Sequence, residues 1–450
     1  SPPNYESWTK EQLIARLTQL ESSQQSKAIL HRAAASASAK PPKIFRFAAH
    51  PQRKIALRFT YAGWEYNGLS WQDGPTPLPT VERVLFDVLA STRLIDADGG
   101  LEGCGWERCG RTDKGVSAAG QVISLWVRKL RYVSMLNRLL PPSIRVLAWS
   151  PVAASFSARF NCRFRHYKYF FSGKGLDIDA MREGAVRLVG EHDFRNLCKL
   201  DPTKQITNFK RRVRRAEISA LAGSTEDLYV FDLVGTAFLY HQVRHIMAVL
   251  LLVGTGLERP SLVTALLNVD PEHPYPPFRE GEEAPPVVQC KPEYQMTDGL
   301  PLMLWECGFA DEDLDWRTDT EVDSDETSGE GSKDATQMRL GLANQLESIL
   351  ERSHIHVALD THFLAAAASI HSSAPSPFPL RPGTRPSGML NVPLGGGTFY
   401  RSGRYVPVVE RKRLDSVEIA NERWMKGKGG RKEERKRRLA AGGVARADGD

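Results

Sequence analysis

The sequence has no hydrophobic run long enough to cross a membrane. Its longest apolar stretch, 247–254, is far shorter than the roughly 20 residues that a spanning helix needs, and it has the length of a buried helix. No secretory signal sequence is recognisable at the start of the chain, which begins with serine rather than methionine. We therefore expect a protein without a membrane partner.

Cysteine is scarce, and its spacing does not indicate metal binding. The 450 residues contain six cysteines, and none of them forms a Cys-x-x-Cys pair or stands at zinc-ligand spacing from a histidine. We predict free, reduced thiols. His241 and His245 lie one helical turn apart, but no third ligand is apparent, so we predict no metal site.

Signatures of small-molecule cofactors are also missing. The glycine-rich segment 103–120 fits neither the G-x-x-x-x-G-K-[ST] phosphate loop nor the G-x-G-x-x-G dinucleotide signature, and no other cofactor motif appears. We therefore predict a protein that works without a cofactor.

An excess of acidic charge is absent too. Sixty Lys and Arg residues against 53 Asp and Glu give a net charge of +7, which is a weak preference for polyanionic partners. The distribution is more informative, because residues 204–215 include six basic residues and no acidic one. Such a density is typical of a surface that follows an RNA backbone, although it is equally typical of the exposed face of a strand. Its candidate contacts are Lys210, Arg211 and Arg212.

Changes in composition divide the chain into segments. Residues 311–334 hold eleven acidic and two basic residues with little apolar content, which predicts disorder. Residues 423–438 hold nine basic and two acidic residues, a pattern typical of a solvated tail, an RNA contact or a nuclear-import signal. The predicted segments are an N-terminal helix and linker (1–40), two halves of a catalytic domain (54–175 and 176–310), an acidic disordered linker (311–337), a helical or irregular extension (338–424) and a basic disordered tail (425–450).

Hydrophobic periodicity predicts a mixture of strands and helices between 54 and 309. Alternating segments predict strands at 54–61, 120–127, 144–149, 166–171, 213–219 and 228–234. Helical patterns begin after Thr80, at Asp179, near Ala237 and at Pro260. Because helices and strands do not alternate strictly, the pattern favours an α+β fold.

Asp113 stands in the most unusual segment of the chain, 103–120, which contains five glycines. Glycine allows a backbone with positive φ and lets a ligand come close. We expect the neighbouring cations Arg108, Arg111 and Lys114 to keep the Asp113 carboxylate ionised, so that it can act as a nucleophile or a base. A structural turn with an Arg–Asp pair and a phosphate-binding loop are the alternatives.

Two further segments contain candidate site residues. Arg244 lies in the apolar helix 238–247, and a buried guanidinium there needs a carboxylate partner, for which Asp113 is a candidate. The alternative is an arginine that reaches the surface. Tyr167 and Tyr169 share one face of the strand 166–171, which indicates either a core stripe or a ring that stacks on an unstacked RNA base.

Three of these segments together resemble the TruA family of pseudouridine synthases. Residues 110–118 are similar to its catalytic motif, 165–169 to its tyrosine motif and 238–247 to its arginine motif, in the same order along the chain. The resemblance covers 54–309. It implies an α+β pseudouridine synthase fold, in which two similar halves share an extended, mostly antiparallel sheet with the active cleft between them.

The resemblance also implies roles for individual residues. Asp113 is expected to be the catalytic carboxylate, attacking the base or the sugar or removing a sugar proton. Arg244 is expected to orient it, and Tyr167 to stack on the target base and help move a proton. Arg111 is expected to fill the stack that the flipped uridine leaves. The complete set of expected substrate-binding residues is Arg111, Lys114, Arg108, His241, Lys210, Arg211 and Arg212.

Several stretches, among them 190–201 and 421–424, are most similar to the branch of the family that modifies positions 38 and 39 of the tRNA anticodon stem-loop. The resemblance implies tRNA as partner, a homodimer, and a location in the nucleus and cytoplasm. A related synthase acting on other uridines or other RNAs, and a non-catalytic RNA-binding protein, are the alternative functions.

Overall fold

A computed structural model describes residues 47–223, 227–318, 331–372, 376–382, 384 and 386–431. The chain divides into two units, Ser1–His50 and Pro51–Asp450. In the first unit the described part is the short 3-10 turn Phe47–Ala49, and the helix predicted within 1–40 lies outside the described residues. Everything that follows concerns the second unit.

A nine-stranded sheet forms the centre of the second unit. In chain order its strands are β1 (Gln52–Tyr61), β2 (Glu107–Arg108), β3 (Ser117–Arg128), β4 (Ile144–Pro151), β5 (Phe164–Ser172), β6 (Gly190–Asp193), β7 (Lys210–Ala220), β8 (Leu228–Gly235) and β9 (Leu302–Gly308). Across the sheet they run in the order β4-β1-β3-β9-β5-β8-β7-β6, with β2 added beside β3. All six strands predicted from alternation are present, whereas the short β2 and β6 and the central β9 were not predicted.

The sheet has two antiparallel halves that meet at β9. This strand pairs in parallel with β3, through Ser117 opposite Met303 and Ala118 opposite Leu304, and antiparallel with β5 on its other side. The expected mixed architecture with an extended, mostly antiparallel sheet is confirmed. Strand β5 pairs with β8 and β9, on the side of β9 away from β3.

Helices cover the sheet and contribute much of the core. They are α1 (Val81–Ser91), α2 (Gly100–Gly103), α3 (Val133–Leu139), α4 (Ile178–Val186), α5 (Gln242–Gly254) and α6 (Ser261–Leu267). Thr80 caps α1 as predicted, its hydroxyl accepting from the Arg83 N–H at 3.3 Å. Every residue of α5 except Arg244 is buried, so this helix is a central core element.

Two helix boundaries differ from the predicted ones. Helix α4 begins at Ile178, one residue before the predicted start at Asp179, because the Asp177 side chain caps it. Helix α5 begins at Gln242 and not near Ala237, because His241 has a φ of 57° in the left-handed region and breaks the helical path. This break places His241 at the N-terminal end of α5 instead of within it.

The C-terminal extension is more ordered than its composition indicated. It consists of the long helix α7 (Gly331–Ala368), a hairpin of β10 (Ser387–Gly395) and β11 (Thr398–Arg404), and helix α8 (Val417–Trp424). The predicted linker 311–337 also has structure at both ends. Arg317 forms a β-bridge with Trp149, and residues 331–337 belong to α7. Residues 425–431 of the predicted tail are helical with a kink at Gly427, and 432–450 lie outside the described residues.

All six cysteines are free, as predicted, and four of them are buried. Among the helices that the structure describes, none combines the length and apolar character of a membrane span.

Glu258 attaches the extension to the core. Its buried carboxylate accepts hydrogen bonds from the Tyr405 hydroxyl at 2.8 Å and from the Val408 N–H at 2.7 Å. Burial raises the pKa of Glu258, and the two hydrogen bonds act in the opposite direction. The segment after β11 is therefore fixed to the turn that follows α5.

Replacing Tyr405 by phenylalanine should lower the free energy of unfolding by about 1–3 kcal/mol, because the buried carboxylate of Glu258 loses one of its two donors. Urea unfolding of the full chain measures the change. Tyr400→Phe removes a comparable hydroxyl that does not bond Glu258, and it should change stability by less than about 0.5 kcal/mol. Equal losses in the two variants would show that the anchor is unimportant.

Candidate active site

The predicted catalytic loop lies at the junction of the two halves of the sheet. It immediately precedes β3, and the loop 297–301 immediately precedes β9. Because β3 and β9 are parallel, the two loops lie at the same end of the sheet. This end is also where Tyr167 of β5 pairs with Leu304 of β9.

Hydrogen bonds and close packing fix the path of the catalytic loop. The Tyr61 and Thr112 hydroxyls are 2.6 Å apart, and the fully buried Gln121 amide donates to the Gly110 carbonyl at 2.9 Å. Gly63 lies so close that a Cβ there would be 2.1 Å from the carbonyl oxygen of Val116. The loop is therefore a rigid support for Asp113.

Asp113 faces two basic side chains of the second half of the sheet. Its Oδ2 is 3.2 Å from His241 Nε2 and 3.7 Å from Arg244 Nη1. The Asp113 side chain is 26% exposed, whereas those of His241 and Arg244 are 6% and 12% exposed. The carboxylate therefore remains reachable from solvent while its partners are almost enclosed. It also lies beside the N-terminal end of α5, where the helix dipole favours an anion.

Arg244 is held in place by the loop before β9. Its Nε donates to the Thr297 carbonyl at 2.8 Å, and the Thr297 hydroxyl donates to the Arg244 carbonyl at 3.0 Å. Arg244 Nη1 is directed toward the Asp113 carboxylate, so the guanidinium faces both a carbonyl and a carboxylate acceptor. Together these contacts fix its orientation. The expectation that a buried Arg244 pairs with Asp113 is thus met by the geometry.

Tyr167 forms the adjoining wall of the site. It is 8% exposed, and its ring meets the Phe238 ring edge-on at 5.1 Å between centroids. A Cβ on Gly110 would lie 4.0 Å from the Tyr167 hydroxyl, so this tyrosine borders the catalytic loop. Burial raises the pKa of Tyr167 well above its usual range, and the group is a neutral phenol at physiological pH. Tyr169, in contrast, is a core residue that donates to the Asp298 carbonyl at 3.1 Å.

Arg165 is a site residue that the sequence did not single out. Its Nη1 donates to the Thr236 carbonyl at 2.9 Å and its Nη2 donates to the Cys109 carbonyl at 2.8 Å. It therefore ties the catalytic loop to the segment after β8. Two sequence signals could have identified it: it is the first residue of the tyrosine motif 165–169, and it lies two residues before Tyr167 on the same face of the strand.

The cations nearest to Asp113 in the sequence are not its partners. Arg108 binds the fully buried Glu82, which also accepts from the Trp106 indole at 2.9 Å. Arg111 and Lys114 are exposed beside the loop. Within the described residues, the ion pairs of Asp113 are formed by His241 and Arg244, so the predicted cluster of sequence neighbours around this carboxylate is wrong. Sequence proximity misled because Arg111 and Lys114 are exposed to solvent and Arg108 pairs with Glu82.

The predicted basic segment is strand β7 and the turn before it. Lys210 and Arg212 are exposed, and Arg212 is 3.8 Å from Glu191 of β6. Arg211 is partly buried and donates to the Asn208 and Lys210 carbonyls. Desolvation lowers the pKa of Arg211. Its side chain stabilises the turn before β7 through these two hydrogen bonds. The exposed members form a cationic edge of the second half of the sheet.

The two histidines of the arginine motif have different roles. His241 faces Asp113, whereas the buried His245 has its Nδ1 3.0 Å from the His241 carbonyl. Desolvation lowers the pKa of His245 well below its usual value, so this ring is neutral at physiological pH. His241 therefore belongs to the site, and His245 belongs to the core.

Chain comparisons identify relatives over most of the sequence. A family model described as tRNA pseudouridine synthase matches residues 185–310. The chain is 37% identical to the tRNA pseudouridine(38/39) synthase of Saccharomyces cerevisiae, over 94% of this chain and 92% of that protein. It is 40% identical to the human protein of the same name, over 63% of this chain and 60% of that protein.

More distant relatives share the central part of the chain. A tRNA pseudouridine synthase A of Methanothrix thermoacetophila is 34% identical, over 59% of this chain and 86% of that protein. A solved structure, a Cbf5-Nop10-Gar1 complex, aligns with 49% of this chain at 14% identity and a TM-score of 0.23, which is too low to define a shared fold.

Replacing Gln121 by leucine should loosen the catalytic loop, because the carbonyl of Gly110 loses its buried amide donor. We expect a loss of about 1–3 kcal/mol in the free energy of unfolding and faster amide hydrogen exchange at 110–116. Gln72→Leu makes the same chemical change at an exposed position and should leave both quantities nearly unchanged. Unchanged exchange in the Gln121 variant would contradict the proposed support of the loop.

Proposed function

The chain belongs to the tRNA pseudouridine synthase family, and we propose that it converts uridines 38 and 39 of the tRNA anticodon stem-loop into pseudouridine. Isomerisation of uridine in tRNA is the activity of this family. The single observation that supports catalysis by this chain is the Asp113 carboxylate, which lies partly exposed between His241 and Arg244. The two positions are those in the names of the yeast and human relatives.

The reaction exchanges one glycosidic bond for another. The N1–C1′ bond breaks, the uracil turns, a C5–C1′ bond forms, and the proton on C5 is replaced by one on N1. Atoms and electrons balance without an oxidant or reductant. We propose that Asp113 supplies the nucleophile or base, acting at the base or at the sugar, and that the fixed guanidinium of Arg244 holds it in position.

We propose that Tyr167 receives the target uracil. Its ring is fixed by Phe238, and a fixed aromatic ring is a suitable surface for an unstacked base. Because burial keeps the phenol neutral, Tyr167 contributes stacking and hydrogen bonding and is not a phenolate base. The Tyr167 hydroxyl can pass on a proton only if it accepts a second proton while it donates its own.

We propose that the cations around the site bind the RNA backbone. Arg111 and Lys114 are exposed on the catalytic loop, where a flipped uridine must enter, and Arg111 would fill the space left in the stack. Lys210 and Arg212 are exposed along β7 and carry charge that a polyanion can neutralise. Arg108 is a weaker candidate because it is paired with Glu82.

A homodimer in the nucleus and cytoplasm completes the proposal. Its support is a row of exposed apolar side chains on α7, which a monomer leaves in water, and the basic run 423–438, which suits nuclear import. Light scattering should give a mass twice the 50.2 kDa of one chain. The double substitution Phe363→Asp with Leu364→Asp should reduce the measured mass to that of one chain. A monomeric wild-type protein would exclude the dimer.

The import signal is tested with a fluorescent fusion that lacks 423–450. If this fusion has the same cellular distribution as the full-length fusion, the import signal is excluded.

Replacing Asp113 by asparagine keeps the size of the side chain and removes its nucleophilic charge. The variant should bind tRNA with an affinity close to that of the wild type and form pseudouridine at least about 10³-fold more slowly. Release of tritium from RNA labelled at uracil C5 measures the rate, and filter binding measures the affinity. Asp227→Asn, at an exposed carboxylate of the β7–β8 turn, is the matched control and should keep normal turnover.

Two results would contradict the proposal. Normal turnover by the Asp113 variant would favour a non-catalytic RNA-binding protein or a different nucleophile. Mapping pseudouridine in tRNA from cells lacking this protein tests the positions. Loss at other tRNA uridines, with 38 and 39 intact, would assign the chain to another branch of the family.

A further inference from the structure

A second pocket lies next to the Asp113 site. Its open volume, mouth included, is about 370 Å³. Tyr240 lines it and is the chain neighbour of His241, and the two rings lie 3.8 Å apart between centroids. Burial, and to a smaller extent the charge of Asp113, raise the pKa of Tyr240.

The pocket combines an apolar interior with cations at its edge. Leu200, Phe209 and Leu239 contribute apolar lining. Lys204 Nζ lies 4.1 Å from the centre of the Tyr240 ring, and Lys199 Nζ lies 5.6 Å from it. Asp201 also lines the pocket, and its Oδ2 lies 3.3 Å from Lys204 Nζ. An aromatic and apolar cleft with two ammonium groups at its edge suits a nucleotide, whose base is flat and whose phosphate is anionic.

The outer wall of the pocket comes from helix α8 of the C-terminal extension. Val417, Ala420 and Asn421 line it. The Asn421 amide donates to the Ile206 carbonyl at 3.4 Å, and the Gln205 amide donates to the Asn421 carbonyl at 3.4 Å. Because α8 lies beyond the matched family segment 185–310, this wall is an addition to the part of the fold that the family model describes.

We propose that this pocket binds the nucleotide next to the target uridine in the RNA strand, with its base against the apolar lining and its phosphate at Lys199 and Lys204. The inference rests on the proposed function, since a uridine at Asp113 brings its chain neighbour within reach of Tyr240. Enzymes that extract a base from a stack commonly obtain part of their selectivity from the flanking nucleotides. Helix α8 thereby becomes a specificity element of the enzyme.

Filling the pocket tests this inference without removing a polar group. In Ala420→Trp an indole occupies the cleft, whereas in Ile419→Trp the same group replaces a side chain that is 50% exposed on the same helix. With a synthetic anticodon stem-loop, Ala420→Trp should raise KM about 10-fold and leave kcat within about twofold, since a stacked base contributes on the order of 1–3 kcal/mol. Ile419→Trp should match the wild type.

A modified substrate identifies the bound nucleotide. Removing the base of each nucleotide flanking the target uridine in turn should raise KM of the wild type at one of the two positions. For Ala420→Trp, the abasic RNA and the intact RNA should have nearly the same KM. The indole already fills the pocket, so removing the base removes no further interaction. Additive losses from the two changes would overturn the proposal, as would equal KM values for the two tryptophan variants.

A second variant covers the case in which Ala420→Trp does not fold. Lys199→Ala with Lys204→Ala should raise KM more than Lys129→Ala with Lys174→Ala, which removes two exposed positive charges outside the pocket. Equal increases in KM for the two double variants would show that the pocket lysines act only through their general positive charge, and this would overturn the proposal. Absence of pseudouridine formation by wild-type protein would instead refute the proposed function, which keeps the two failures distinct.

Discussion

The ion pair between Asp113 and Arg244 connects the two halves of this structure. The carboxylate comes from a loop of the first half and the guanidinium from the first turn of α5 in the second, 3.7 Å apart. Burying an arginine is costly unless its donors are satisfied, and here the Thr297 carbonyl and the carboxylate together supply acceptors. The parallel pairing of β3 with β9 brings both supporting loops to one end of the sheet. Without this one parallel pair the halves could not offer one site.

The C-terminal extension supports the same site from behind. The Asp298 N–H donates to the Leu394 carbonyl of β10 at 2.8 Å, so the hairpin braces the loop that orients Arg244. Tyr405 and Val408 hold the next segment on Glu258, just beyond the end of α5. The extension then returns as α8 to close the pocket beside Tyr240. A region with few sequence signals of its own therefore acts on catalytic geometry through backbone hydrogen bonds.

Charge is divided by depth. Close to the reacting position the groups are few and individually matched, with Asp113 between two bases and Tyr167 kept neutral by burial. Exposed lysines and arginines lie outside, on the loop of Asp113 and along β7, where water screens their charge. This separation suits an enzyme whose substrate is a polyanion.

Local patterns in the sequence were sufficient for the strands, the cap of α1 and the family, and they named Asp113, Tyr167 and Arg244 as candidates. These features depend on alternation, side-chain chemistry and short motifs, which are properties of neighbouring residues. Arg244 was already a candidate partner of Asp113 in the sequence, whereas the contact with His241 was decided by the tertiary structure, in which β3 pairs with β9 across almost 200 residues. For the same reason the pairing of Arg108 with Glu82, the clamp of Arg165 and the pocket under α8 were visible only in the folded chain.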